Sequence, residues 1–128
     1  AGLDYAQLHG QESPAFCAGV VAAGIPVIKV INVTSPADLD VATAYTDASA
    51  ILLDRPKGGS MFDWDIAREA ALSLGLPVML AGGLTPDNVA AAIDVSRPYA
   101  VDVNSGVASA PGVKDPYKLA AFIAAARG

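Results

Sequence analysis

The sequence predicts one α/β domain over residues 1–128, built on parallel strands. Three observations carry that reading. Short β-branched runs alternate with amphipathic segments at intervals of roughly 22 to 28 residues, a repeat that requires parallel strands and right-handed crossovers. Apolar residues make up 53% of the chain and charged residues only 16%, which suits strands covered on both faces. Glycine turns follow the last two strands, at Gly82-Gly83 and at Asn104-Ser105-Gly106. Paired turns of that kind are where (β/α)8 barrels hold phosphate, yet five βα units cannot close eight strands. The expected architecture is therefore an incomplete barrel of about five units.

The elements follow in order. Tyr5 to Leu8 reads as a short strand closing at His9-Gly10. Ser13-Pro14 opens a helix with Phe16, Cys17, Val20 and Val21 on one face, ended by Gly24. Pro26 to Ile31 is the second strand, and Ser35-Pro36 repeats the cap-plus-proline signal for a helix running to about Tyr45. Ala50 to Leu53 is the third strand, ending at Asp54. The loop from Arg55 to Met61 leads through Phe62-Asp63-Trp64 into a helix that stops near Gly75. Val78 to Leu80 is the fourth strand. Its helix opens at Thr85-Pro86 and buries Val89, Ala92 and Ile93. Ala100 to Val103 is the fifth strand, with Asp102 in its middle, and the segment from Asn104 to Asp115 is a loop. The last helix carries Leu119, Phe122, Ile123 and Ala126 along one stripe.

The totals exclude several classes. A net charge of −5 argues against a nucleic-acid footprint, so an anionic ligand must be held by local dipoles. One cysteine permits no internal disulfide, and with one histidine it makes a structural zinc site implausible. Every apolar run is broken by Gly, Pro or a charge, which leaves no membrane span or signal peptide and makes a cytoplasmic location the default. The chain has no initiator Met and starts almost directly in a strand. Sheet edges left open by five units would favour association with a second copy.

Chemistry in parallel β/α proteins sits at the strand ends and in the loops after them. Gln7, His9, Lys29, Asn32, Asp54, Asp102, Asn104 and Ser105 stand there. Asp54 follows Ile-Leu-Leu at the rim of an apolar interior, where desolvation favours the protonated form and suits a general acid. The competing reading is an Asp that caps its own loop. Gly82 and Gly83 let the backbone approach an anion and present N–H groups to it. His9 is a proton carrier, a substrate donor or a hydrogen-bonded structural residue. Lys29 either meets a substrate anion or neutralises a nearby carboxylate. Asp102, between Val101 and Val103, points opposite to them and, if buried, needs a partner. Cys17 reads as inert packing. Phe62 and Trp64 are expected to anchor a flap formed by residues 57–60.

In their order along the chain, several segments resemble the phosphoribosylanthranilate isomerase family of (β/α)8 TIM barrels. They are Gln7-Leu-His-Gly10, Ile28-Lys29, Leu52-Leu-Asp54, Gly58-Gly-Ser60 with Phe62-Asp-Trp64, Ala81-Gly-Gly-Leu84 with Pro86-Asp-Asn-Val89, and Arg97 to Val103 followed by Ser105-Gly-Val107 and Pro111 to Asp115. The resemblance covers nearly the whole chain. It implies a step of tryptophan biosynthesis, the Amadori rearrangement of a phosphoribosyl-anthranilate aminoaldose to an aminoketose. Asp54 matches the family's general acid, and Gly82, Gly83, Ser105 and Gly106 match its phosphate-binding turns. His9 and Asp102 match positions lining the substrate pocket. No metal or organic cofactor is implied.

The departures are equally specific. The family's general base is a cysteine at the end of its first strand, and this chain matches only the last five units; Cys17 does not correspond to it. The 128 residues alone are thus expected to lack turnover. Met61 alone separates Ser60 from Phe62, a shorter flap than the family's, while Asn104 stands where serine is common and Ala108 where glutamate is. The rival readings are a self-associating phosphate-binding module and another phosphate-binding barrel enzyme.

Overall fold

Alternation along the strands decides which side of the sheet each residue serves. The computed structural model describes residues 4–55, 63–103, 105–110 and 112–128. Five strands, β1 (Ala6–Leu8), β2 (Val27–Asn32), β3 (Ala50–Asp54), β4 (Val78–Leu80) and β5 (Ala100–Val101), form one parallel sheet in sequential order. Val27, Ile31, Ile51, Leu53, Val78 and Leu80 point to one face and merge with residues of every helix into the main core. Ile28, Val30, Leu52, Met79 and Ala81 point to the other and form a small separate cluster. No helix residue joins that second cluster among the described residues. Helices line one side only among the described residues, yet Val30, Leu52 and Ala81 on the other side are buried as well, as strands covered on both faces require. One-sided helices and unreversed strand order are the geometry of a barrel wall, since a doubly wound sheet reverses its order at a switch point.

The helices are α1 (Pro14–Ala22), α2 (Leu39–Ala42), α3 (Trp64–Ser73), α4 (Val89–Ser96) and α5 (Pro116–Arg127). Ser13 caps α1 through a 3.1 Å bond from the Phe16 N–H, with Pro14 in the first turn. Asp63 and Asp115 do the same for α3 and α5. Trp64, at the start of α3, packs against the main core; Phe62 and the flap it was expected to anchor lie outside the described residues.

Four sequence expectations change. The second helix is only a 3-10 turn, Pro36–Asp38, followed by the four residues of α2, and it ends before Tyr45. Asp38 folds back on the Thr34 and Ser35 N–H groups (2.8 and 3.1 Å), and Tyr45 turns into the core instead of continuing the helix. In α1, Cys17 is buried and Val20 and Val21 partly so, but Phe16 is exposed, because the sheet spans only part of the helix circumference. In α5, Phe122 is buried while Leu119 and Ile123 are exposed. The expected loop after β5 contains a 3-10 turn, Ser105–Val107, and a short antiparallel hairpin of β6 (Ala108–Ala110) and β7 (Val113–Lys114).

Candidate functional site

Because all five strands run parallel, their C-terminal ends share one rim. Asn32 pairs with Asp54 in the β2–β3 register, and both alternate with Val30 and Leu52, so both belong to the helix-free face. Asp54 is half-buried there. Its Oδ1 accepts the Arg55 N–H at 2.7 Å. The same oxygen lies against Gly82, where an added Cβ would come within 2.8 Å of it.

Gly82 and Gly83 both take positive φ, +87° and +73°, a conformation that L side chains rarely adopt. Among the described residues, nothing accepts a hydrogen bond from either N–H. Those donors are what an anion cradle needs. Asn88 clamps the turn: its Oδ1 accepts the Thr85 N–H at 2.7 Å and its Nδ2 donates to the Gly83 carbonyl at 3.0 Å. Thr85 caps the opening turn as expected, its Oγ1 accepting the Asp87 N–H at 3.2 Å and its carbonyl the Val89 N–H at 3.0 Å, but residues 86–88 form a turn and the regular helix begins at Val89. Sequence reasoning gave Asn88 no role, although the three-residue spacing from Thr85 was a usable signal.

Gly106 joins the second turn to the first. A Cβ there would run into the Leu84 carbonyl, so backbone packs directly on backbone. Gly106 thus packs on Leu84 and Thr85, the residues that follow Gly82-Gly83, and Ser105 belongs to the same 3-10 turn as Gly106. Asn104 lies outside the described residues.

The remaining candidates separate. Asp102 is not mid-strand: β5 ends at Val101, and Asp102 is exposed, its N–H continuing the ladder to the Leu80 carbonyl at 2.8 Å. Solvent therefore supplies what a buried carboxylate would have needed from a partner. His9 is exposed beyond the end of β1, two strands from Asp54. It lines a shallow cavity with Gly10, Lys29, Asn32, Asp38 and Tyr45, away from the glycine turns. Lys29 faces the helix side with Val27 and Ile31, where it pairs with Glu12. Burial pushes the Cys17 thiol above its ordinary range, helped by the charge of Asp47. Among the described residues no group of three or more His, Cys, Asp or Glu could hold a metal, and no helix is long and apolar enough to cross a membrane.

A parallel sheet in sequential order, with helices on one side and a carboxylate and glycine turns on its C-terminal rim, defines part of a (β/α)8 barrel. The chain belongs to the N-(5'-phosphoribosyl)anthranilate isomerase family, whose model matches residues 1–125. It is 47% identical to the N-(5'-phosphoribosyl)anthranilate isomerase of Myxococcus xanthus over 98% of this chain and 61% of that protein. The phosphoribosyl anthranilate isomerase of Thermotoga maritima superposes with a TM-score of 0.88 at 42% identity, covering 98% of this chain and 62% of that one. An isomerase of the same kind, crystallised with reduced 1-(o-carboxyphenylamino)-1-deoxyribulose 5-phosphate, gives 0.83 at 40% identity, covering 98% of this chain and 60% of that one. The chain thus spans about three-fifths of the length of the relatives it matches.

Proposed function

We propose that the protein supplies the acid and the phosphate grip of a phosphoribosylanthranilate isomerase. The single observation carrying this is the Asp54 carboxylate seated against the Gly82 turn at the strand C-termini, in a chain of the isomerase family. The substrate phosphate is held by backbone N–H groups of Gly82, Gly83, Ser105 and Gly106, with no cofactor. Asp54 gives its proton to the ribose ring oxygen. The bond from that oxygen to the anomeric carbon breaks as the anthranilate nitrogen lone pair forms a Schiff base. A general base takes the proton from sugar C2, the C2–H electron pair forms the C1=C2 double bond and the C=N π pair returns to the nitrogen, giving the enolamine, which tautomerises to the ketone. His9 and Asp102, which match strand-end positions lining the family's substrate pocket, stand beyond the ends of β1 and β5 on the same C-terminal rim. The base belongs to the two-fifths of the relatives that these residues do not span, so the 128 residues alone hold half of the acid–base pair.

The test joins this chain behind the N-terminal two-fifths of the Myxococcus xanthus relative. The chimera should convert N-(5'-phosphoribosyl)anthranilate to the aminoketose, and Asp54→Asn should lower kcat by about 10²-fold or more. A folded chimera without turnover, or an Asp54→Asn chimera at full rate, overturns the reading.

A further inference from the structure

Gly82 carries a second task besides gripping phosphate, and it follows from what surrounds its Cα. An added Cβ would meet Asp54 Oδ1 at 2.8 Å, the Arg55 backbone nitrogen at 2.9 Å and Arg55 Cγ at 3.1 Å. The carboxylate oxygen is thus wedged between the Arg55 N–H, 2.7 Å away, and the bare Cα of Gly82. A backbone nitrogen cannot swing aside. The carboxylate can, but only by giving up the N–H that orients it. We propose that Gly82 is a positioning residue for Asp54, so that the turn closing on the substrate phosphate also seats the acid. This rests on the isomerase reading and adds to it a mechanical link between the ends of β3 and β4.

The test separates the seat from simple backbone strain. Gly75 has a comparable positive φ, +70°, with nothing within 4 Å of an added Cβ, so Gly75→Ala imposes strain alone. In the chimera, Gly75→Ala should keep kcat, whereas Gly82→Ala should lower it about 10²-fold, the cost of a misplacement of about 1 Å, and by more than it raises KM. A KM rise with kcat retained overturns the proposal, since Gly82 would then serve only the phosphate.

Denaturation of the 128-residue chain gives an independent readout. Gly82→Ala and Asp54→Ala should be clearly non-additive in the double variant, because removing the carboxylate relieves part of the clash. Additive effects overturn the proposal. If Gly82→Ala alone does not fold in water, the same cycle run in a stabilising osmolyte should show the non-additivity, and additive effects there overturn the proposal too. An inactive parent chimera would sink the isomerase reading while leaving this cycle able to judge the seat.

Discussion

Lys29 is 2% exposed, and its Nζ lies 3.2 Å from Glu12 Oε1 on the helix side of β2. It also donates to the Gly10 carbonyl at 2.8 Å and sits 5.2 Å from the centre of the Tyr45 ring. Tyr45 in turn donates to the Glu12 carbonyl at 2.6 Å, and Glu12 Oε1 accepts the Gly10 N–H at 2.9 Å. One buried cation therefore ties the loop after β1, and with it His9, to β2 and the segment after α2.

Replacing that cation with an isosteric apolar chain tests the tie. Lys29→Met should destabilise the chain by about 1.5–3 kcal/mol, because the Gly10 carbonyl loses a charged donor. Urea denaturation measures the loss, and amide exchange at Gly10 should quicken. An unchanged midpoint would show that the network is ornamental.

Asn88 offers a prediction at the phosphate side. Its amide bridges the Thr85 N–H and the Gly83 carbonyl, so Asn88→Ala frees both ends of the glycine turn. We expect a loss of about 1–2 kcal/mol in stability. Inorganic phosphate, titrated by NMR on the Gly82 and Gly83 amides, should bind more weakly. Binding that survives intact would mean that the turn holds its shape without the clamp.

Acid should loosen the same rim in a defined direction. The Gly10 N–H, and with it Lys29, holds the Glu12 carboxyl below its ordinary range against the opposing effect of burial. The Thr34 and Ser35 N–H groups and the Thr34 hydroxyl do the same for Asp38. Both groups bind protons more weakly folded than unfolded. Their stabilisation is thus present above the ordinary carboxylate range and lost as pH falls through the lower folded values. Asp38→Asn should flatten that acid limb and leave the slope near neutrality unchanged. A denaturation series from neutral pH down to about pH 3 measures it, and an identical acid limb in the variant would refute the assignment.

The path from sequence to site was uneven for identifiable reasons. Period and turn chemistry were local, so the five strands and the Ser13-Pro14 helix start could be read directly, and with them the glycine turns. Asp54 was legible as the residue that ends the third strand. Missing were the short second helix and the hairpin after β5: a backbone drawn back onto Asp38 and a register of two and three residues leave no periodic trace.

The sequence by itself determined the parallel βα order, the family and the residue types at the rim, because these depend on spacing along the chain. Only the tertiary structure decided that Lys29 turns to the helix side, that Asp102 is exposed, that Gly106 packs on Leu84 and that Asp54 rests on Gly82. Each of those is a contact or an exposure set by residues from another strand or turn, and sheet packing, not local propensity, chooses which groups meet.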